Sequence, residues 1–353
     1  MTDHDLFTLD GFSNRADALS SGLGLGVSTF GNSPATDAET VQPESSKKPD
    51  WPPVASGSDQ QRDRKSPERG SNFRLSVSRG LAKGWKARAR DNLDAIALAE
   101  TIVGEDRAAK PEEQATLIKF TGFGASDLAN TIFTRPGASD FARGWQKLGQ
   151  ELQESVSDAD YASLARCTQY AHFTPEFIIR AIWQGLERLG WRGGRVLEPG
   201  IGTGLFPALM PETLRESSFV TGVELDPVTA RIAKLLQPVS RIIEGDFARS
   251  ELPAHFDLAI GNPPFSDRTV RSDRAYRSMG LRLHDYFIAR SIDLLKPGAL
   301  AAFVTSSGTM DKADRTAREH IAKSADLIAA IRLPEGSFRA DAGTDVVVDI
   351  LFF

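Results

Sequence analysis

Short apolar runs alternate with amphipathic stretches in the second half of the chain. The runs are rich in β-branched residues, which is typical of buried strands, whereas the stretches between them have the apolar spacing of helices. Alternating strands and helices predict a mostly parallel sheet with helices on both faces. The predicted strands lie at 195–199, 218–226, 240–246, 256–262, 299–307, 326–334 and 344–353.

The last two predicted strands are joined only by the short link EGSFRADAG. A parallel connection needs a crossover of about a dozen residues or more, so these two strands should pair antiparallel. The predicted fold class is therefore α/β: a doubly wound, Rossmann-like sheet of seven strands, mostly parallel, with a reversed last strand.

The pattern differs upstream of the strands. Residues 1–80 are rich in Ser, Gly, Asp and Pro and have no periodic apolar face, so we expect a disordered tail. Residues 81–165 have helical spacing, for example in DNLDAIALAETIVGE, and predict a helical region packed against the strand-rich part of the chain. Residues 166–353 are then assigned to the α/β domain.

Composition and charge narrow the function classes. The 353 residues are 41% hydrophobic and 25% charged, as in ordinary globular proteins, and the net charge of −5 argues against a uniformly basic nucleic-acid binder. The single cysteine, Cys167, excludes an internal disulfide and a cysteine-based zinc site. We find no lysine-bearing phosphate loop, secretory signal or membrane-length apolar run, and we expect a cytoplasmic protein without a metal site or membrane contact.

Ligands of a doubly wound sheet bind beyond the carboxyl ends of its strands, and four of the predicted ends carry unusual residues. The first is LEPGIGTG at 197–204, where Gly200, Gly202 and Gly204 permit a tight turn and a close backbone approach to a ligand. An ordinary strand–helix turn would also suit these glycines. Glu198 favours the ligand-binding interpretation, because a carboxylate beside the loop suits a cationic ligand better than a phosphate.

The second and third strand ends carry acids. Glu224 lies 20 residues after Gly204, about where nucleotide-binding folds place an acid for ribose hydroxyls. Asp226 precedes a proline and a predicted helix, so we interpret it as a helix N-cap. Asp246 could accept a hydrogen bond from an exocyclic amine, and Phe247 could cover a purine face. The alternative is a turn aspartate beside a core phenylalanine.

The fourth strand ends in Asn262-Pro263-Pro264-Phe265. The two prolines have no N–H and a fixed φ, so the loop is stiff and leaves the Asn262 amide and the Pro263 carbonyl free to accept hydrogen bonds. Phe265 offers a flat face. Taken with the other three strand ends, this pattern predicts a rigid clamp for a planar group that carries an NH₂, rather than a proline-stiffened turn.

These four elements, in this order, resemble the class I S-adenosylmethionine-dependent methyltransferases and, more narrowly, the N6-adenine DNA methyltransferases. The signatures of the latter are an acid-Pro-x-x-Gly-x-Gly loop, here EPGIGTG, and an Asn-Pro-Pro-aromatic loop, here NPPF. The segment AHFTPE is similar to a Phe-Thr-Pro element that these enzymes carry before the first strand. Thr174 as a helix N-cap is a second interpretation of that segment. The stretch KFTGFGASDLANTIF resembles the leader of methylase–helicase proteins of plasmids and phages.

The resemblance implies S-adenosylmethionine as the cofactor and methyl transfer to the N6 amine of adenine in DNA, on a base flipped out of the duplex. In the implied catalytic loop, Asn262 and Pro263 accept from the target amine, Pro264 stiffens the turn and Phe265 stacks on the base. The implied cofactor pocket consists of Phe173, Thr174, Glu198, Gly200, Gly202, Gly204, Glu224, Asp246 and Phe247.

A basic run comes directly after the catalytic loop. Residues 266–283 carry five arginines against two acids. Arginines beside a site for a flipped base would hold phosphates, although a solvated charged loop is the alternative. The candidates for phosphate contact are Arg268, Arg271, Arg274 and Arg277.

Two other functions are compatible with these residues. A methyltransferase of the same fold could act on RNA or on a protein glutamine, or the chain could bind cofactor or DNA without turnover. The sequence shows neither a helicase motor nor a target-recognition domain after the seventh strand. A separate target-recognition or helicase subunit, or a further C-terminal domain, is therefore expected to select the DNA site. Restriction, antirestriction and plasmid maintenance are all compatible roles.

Overall fold

The computed structural model describes residues 70–134, 140–170, 172–343 and 345–353. Most of the predicted tail, 1–69, lies outside these residues. The strands are β1 (Gly194–Pro199), β2 (Ser218–Glu224), β3 (Arg241–Glu244), β4 (Phe256–Gly261), β5 (Leu295–Ser306), β6 (Ala329–Arg332) and β7 (Val348–Phe352).

The seven strands form one sheet in the order β3-β2-β1-β4-β5-β7-β6. The pairs from β3 to β5 are parallel. β7 is inserted between β5 and β6 and runs antiparallel to both. The predicted fold class, including the reversed last strand, is confirmed. The strand order reverses between β1 and β4, which is where open sheets of this kind bind ligands.

Helices precede the sheet and connect its strands. Those of the helical region are α1 (Trp85–Gly104), α2 (Pro111–Leu117), α3 (Ser126–Ala129), α4 (Gln146–Ser155) and α5 (Asp158–Cys167). Those of the α/β domain are α6 (Glu176–Arg188), α7 (Leu205–Ala208), α8 (Glu212–Arg215), α9 (Pro227–Leu236), α10 (Leu283–Asp293), α11 (Gly308–Asp311), α12 (Thr316–Ile321) and α13 (Arg339–Ala342).

Both faces of the sheet are buried, because successive strand residues point to opposite sides. Val196 of β1 belongs to a core that also contains α1, α6 and α9 residues, whereas its neighbour Leu197 belongs to a second core with α10. Ala302 and Phe303 of β5 divide in the same way. This arrangement explains the near-continuous apolar runs of the central strands.

The helical region shares the first of these cores with the sheet domain. α1 and α2 pack on α9, and Ile96 and Leu117 lie in one apolar cluster with Leu236. The stretch 111–133 forms two short helices, α2 and α3, separated by a buried segment that carries Thr121 and Gly122.

Residues 70–80 differ from the prediction of a disordered tail. They lie along the α/β domain, where Phe73 N–H donates to the Leu236 carbonyl at 2.7 Å and Leu75 N–H donates to the Ala208 carbonyl at 2.9 Å. Leu236 and Ala208 are the last residues of α9 and α7, and helix ends leave such carbonyls without intrahelical partners. The segment is ordered because it satisfies these acceptors, which its own composition does not reveal.

None of the helices within the described ranges is long and apolar enough to cross a membrane. Across the same ranges, no group of three or more His, Cys, Asp or Glu side chains is placed to hold a metal ion.

A buried asparagine should make a measurable contribution to the stability of the helical region. Asn92 of α1 is fully buried, its amide donates to the Gly122 carbonyl at 2.6 Å, and its oxygen accepts from Thr121 N–H at 2.8 Å. We expect Asn92→Ala to lower the free energy of unfolding by about 2–3 kcal/mol, because both backbone groups lose their partner. Urea unfolding measures this effect. Asp94→Ala, on an exposed position of the same helix, should change it by less than about 0.5 kcal/mol, and equal losses in the two variants would contradict the assignment.

Candidate active site

A cavity of about 590 Å³ lies at the carboxyl ends of β1 to β4. It brings together residues that lie far apart in the sequence and that were singled out for different reasons. The predicted site residues that line it are Phe173, Thr174, Glu198, Gly200, Gly202, Glu224, Asp246, Phe247, Asn262, Pro264, Arg268 and Arg271. The predicted residues that do not line it are Gly204, Pro263, Phe265, Arg274 and Arg277.

The glycine loop after β1 is tied to the neighbouring strand. The N–H groups of Gly200 and Ile201 both donate to the Val223 carbonyl, at 2.8 and 3.0 Å. Gly202 has φ +57°, and a Cβ added there would lie 3.4 Å from the Phe173 ring. The left-handed backbone conformation therefore favours glycine here, and the Phe173 ring lies in van der Waals reach of this position.

Gly204 has a packing role instead of a direct place in the cavity. It has φ +83°, precedes α7 as its N-cap, and an added Cβ would come within 2.8 Å of the Gln237 side chain. The third glycine of the motif thus permits close packing of the loop against the end of α9.

Glu224 fastens the glycine loop from the end of β2. Its Oε2 accepts from Gly202 N–H at 2.9 Å and its Oε1 accepts from Asp226 N–H at 3.0 Å. Each carboxylate oxygen has a further lone pair, so the side chain can still accept from ligand hydroxyls. Burial raises the pKa of Glu224 to about 7, because it outweighs the backbone hydrogen bonds, which favour the carboxylate.

Glu198 lies deeper at the end of β1. Its side chain is only 2% exposed and its Oε2 has no hydrogen-bond partner. Burial, and then the neighbouring Glu224 carboxylate, raise the pKa of Glu198 well above its ordinary value. An unpaired buried carboxyl group is costly, and a cationic ligand would offset that cost. The pair of acids thus fits S-adenosylmethionine, which carries an ammonium and a sulfonium group.

Asp246 and Phe247 border the cavity, and their local structure is that of a turn. The Asp246 carboxylate accepts from Ala248 N–H at 2.9 Å and begins the 3₁₀ turn Phe247–Arg249. The Phe247 ring is 2% exposed, with the Arg290 guanidinium 4.6 Å from its centroid and the Phe287 ring 4.9 Å away. Asp246 is thus a turn residue and Phe247 a core residue, and both also line the cavity.

Two helix caps test the sequence interpretation. Asp226 is the N-cap of α9, as predicted, and its side chain accepts from Thr229 N–H at 2.9 Å. The interpretation of Thr174 as an N-cap is wrong, because α6 begins at Glu176 with Pro175 as its N-cap. Thr174 is buried instead, at the cavity wall.

The Asn262 amide has one satisfied end and one unsatisfied end. Its Nδ2 donates to the His172 carbonyl at 3.1 Å, whereas its Oδ1 is buried without a hydrogen-bond partner. Pro263 is buried behind it. Phe265 packs edge-to-face with His284, with 6.5 Å between ring centroids, and does not line the cavity.

The arginine-rich stretch folds back on itself above the cavity. Val270 N–H donates to the Leu281 carbonyl at 3.1 Å, and Thr269 bridges to Arg282. Arg268 and Arg271 face the cavity.

Two further arginines of this stretch stabilise the loop itself. Arg277 donates to the Arg271 carbonyl at 2.9 Å, and Arg282 pairs with Asp267 at 2.8 Å. Only part of the predicted basic run is therefore placed beside the site.

Sequence reasoning missed Tyr170 and His172. The Tyr170 hydroxyl accepts from Arg268 Nη1 at 2.8 Å, and the His172 carbonyl orients Asn262. Their position directly before the Phe-Thr-Pro element was the available signal. A backbone carbonyl, however, is present in every residue and carries no sequence signature.

Comparison with known proteins identifies one family and several relatives that are similar to parts of this chain. Residues 234–338 match the family model of the Eco57I restriction-modification methylases. The chain is 30% identical over 186 residues to the Defense against restriction protein B of Escherichia phage P1. The aligned region covers 51% of this chain and 8% of the phage protein. It is 27% identical over 143 residues to a tRNA1(Val) (adenine(37)-N6)-methyltransferase of Porphyromonas gingivalis. This alignment covers 36% of the chain and 56% of the relative.

A solved structure of the type I restriction-modification methyltransferase subunit from Streptococcus thermophilus superimposes with a TM-score of 0.45 and 15% identity, covering 74% of this chain and 65% of that one. The chain thus spans 8% of the length of the phage protein and 56% of the length of the P. gingivalis methyltransferase. The family match, which covers less than a third of the chain, bears out the predicted resemblance to S-adenosylmethionine-dependent methyltransferases over residues 234–338.

The raised pKa of Glu224 predicts a pH-dependent stability of the ligand-free protein. Because its folded pKa of about 7 exceeds the ordinary value of 4.5, the folded state binds this proton more tightly than the unfolded state does. The resulting stabilisation is complete below pH 4.5 and is lost as the pH rises through about 7. We expect the unfolding free energy of the wild type, relative to that of Glu224→Gln, to fall as the pH rises from about 4.5 to about 7 in urea titrations. Parallel pH profiles for the two proteins would contradict the raised pKa.

Proposed function

We propose that this protein transfers a methyl group from S-adenosylmethionine to the N6 amine of adenine in DNA. The observation that carries the proposal is the Asn262 amide, whose NH₂ is engaged by the His172 carbonyl while its oxygen is buried and unpartnered beside the cavity. The free group is a hydrogen-bond acceptor, and the target of such a group is a donor such as an exocyclic amine.

The cavity walls divide into a cofactor side and a target side. S-adenosylmethionine supplies an electrophilic methyl group on a sulfonium sulfur when it is bound. On the cofactor side, Gly200 and Gly202 give backbone approach, Glu198 faces the cationic portion and Glu224 accepts from the ribose hydroxyls. Asp246 and Phe247 border the adenine end, and Phe173 and Thr174 cover the glycine loop.

The target side makes the adenine amine a better nucleophile. Its lone pair is delocalised into the ring, so the amine must become more tetrahedral before it can react. Asn262 Oδ1 accepts one amine hydrogen, and the Pro263 carbonyl, which does not line the cavity in this structure, would accept the second, so that both hydrogens are drawn out of the ring plane. The rigid Pro263-Pro264 backbone holds the two acceptors in place, and positioning of this kind supplies most of the rate. Phe265, which packs on His284 in this structure, is the candidate for stacking on the base.

DNA is favoured over RNA because the matching family is one of restriction-modification methylases. RNA is the second candidate, since the P. gingivalis relative is named as a tRNA adenine-N6 methyltransferase. In this proposal the domain from 166 to 353 carries the chemistry and the helical region supports it. Selection of the DNA site belongs to a further domain, or to a recognition or helicase subunit.

Label transfer tests the substrate class. The protein is incubated with S-adenosylmethionine carrying a labelled methyl group, in parallel with DNA, RNA and a protein extract. The proposal requires label in DNA, recovered as N6-methyladenine after digestion. Label in RNA alone would favour the second candidate. If folded, cofactor-bound protein transfers no label to any of the three substrates, the protein is a binding module without turnover.

Asn262→Ala separates catalysis from cofactor binding. Loss of one positioned acceptor should lower kcat by about 100-fold or more, whereas the Kd for S-adenosylmethionine should change by less than about twofold. Single-turnover assays and calorimetry measure the two quantities. Asn262→Asp, which keeps an acceptor but cannot donate to His172, should retain intermediate activity. Normal transfer by Asn262→Ala would refute the assigned role.

A further inference from the structure

Two hydrogen bonds connect the chain before α6 with the loop after β4. We call Tyr170 and residues 172–174 the cover segment. The His172 carbonyl accepts from Asn262 Nδ2 at 3.1 Å, and the Tyr170 hydroxyl accepts from Arg268 Nη1 at 2.8 Å. Tyr170, Asn262 and Arg268 all line the cavity. The cover segment therefore touches the proposed target side at two separate points.

The same segment also lies on the cofactor side. Phe173 approaches the glycine loop, where a Cβ on Gly202 would meet its ring at 3.4 Å. Thr174 is buried at the cavity wall. One short stretch thus contacts the glycine loop, the catalytic amide and an arginine at the opening.

Arg268 differs in its surroundings from its neighbours in the basic run. Arg274 is exposed and away from the cavity, and Arg277 donates to a backbone carbonyl of its own loop. Arg268 is exposed, lines the cavity and has its guanidinium held from across the cavity by a neutral hydroxyl. A guanidinium has five N–H donors, and the Tyr170 bond uses one of them, so the charge and the remaining donors stay available to an anion.

We propose that Tyr170 is a positioning residue for a polynucleotide substrate: it holds Arg268 at the cavity wall so that the guanidinium binds the phosphate next to the nucleotide whose base enters the cavity. This inference rests on the proposed function. Holding a long, mobile side chain before the substrate arrives reduces the entropy that binding must overcome. A phosphate contact of this kind sets the register of the strand and does not read its sequence.

A double-mutant cycle on nucleic-acid affinity tests the inference. The probe is a fluorescent adenine-containing oligonucleotide, single-stranded and duplex, titrated with protein saturated with S-adenosylhomocysteine. Tyr170→Phe removes only the hydroxyl and should raise the oligonucleotide Kd by about 5- to 30-fold, while the cofactor Kd stays within about twofold. Arg268→Gln should cause a similar loss and lower the slope of log Kd against log salt by about one.

The effects of the two substitutions on the oligonucleotide Kd should not multiply. The Tyr170→Phe/Arg268→Gln protein should bind no more weakly than Arg268→Gln alone, since the hydroxyl acts through that arginine. Arg274→Gln, in the same loop, is the matched control, and its effect should multiply with that of Tyr170→Phe. A merely structural role for Tyr170 would give the same multiplication in both pairs.

The outcomes separate this inference from the proposed function. An unchanged Kd in Tyr170→Phe, or multiplying effects at 170 and 268, overturns the positioning role even if DNA is methylated. Absence of label transfer to DNA overturns the proposed function even if the binding cycle behaves as expected. Wild-type protein that binds neither form of the oligonucleotide overturns both.

Discussion

The hydrogen bond from Asn262 to the His172 carbonyl decides what the site can do. An amide side chain offers donors at one end and an acceptor at the other, and only the acceptor suits an amine substrate. Because the carbonyl occupies the donor end, the acceptor end is left beside the cavity. That bond exists only if the chain before α6 is held against the end of β4, so the orientation of the Asn262 amide in the proposed site depends on the packing of residues 172–174 against the loop after β4.

Further contacts connect the chain upstream of the helical region with the α/β domain. Phe73 N–H donates to the carbonyl of the last residue of α9, and Leu75 N–H donates to that of the last residue of α7. Arg79 pairs with Glu176, the first residue of α6, at 3.0 Å, and the cover segment leads into this helix. Under the proposed function, the packing around the start of α6 therefore also bears on the orientation of the Asn262 amide.

Acidic and basic side chains lie at different depths of the cavity. Glu198 and Glu224 lie at the strand ends, where burial raises the pKa of both carboxyl groups. Arg268 and Arg271 are exposed on the loop above. The net charge of −5 does not show this separation, because it sums the charges of the whole chain without regard to their positions. In the proposed function the acids would face a cationic cofactor and the exposed arginines a polyanion, so one cavity would hold ligands of opposite charge.

Local patterns in the chain were enough to predict the sheet, its reversed last strand and the strand ends that meet at the cavity. Those conclusions depend on periodicity, on connection length and on turn residues, all of which act over a few positions. The same patterns did not reveal that Gly204 packs on Gln237, that Phe265 rests on His284, or that residues 70–80 join the fold. These points are set by the folded molecule, because each depends on a partner that is distant in the chain and that reaches its place only when the whole domain has assembled.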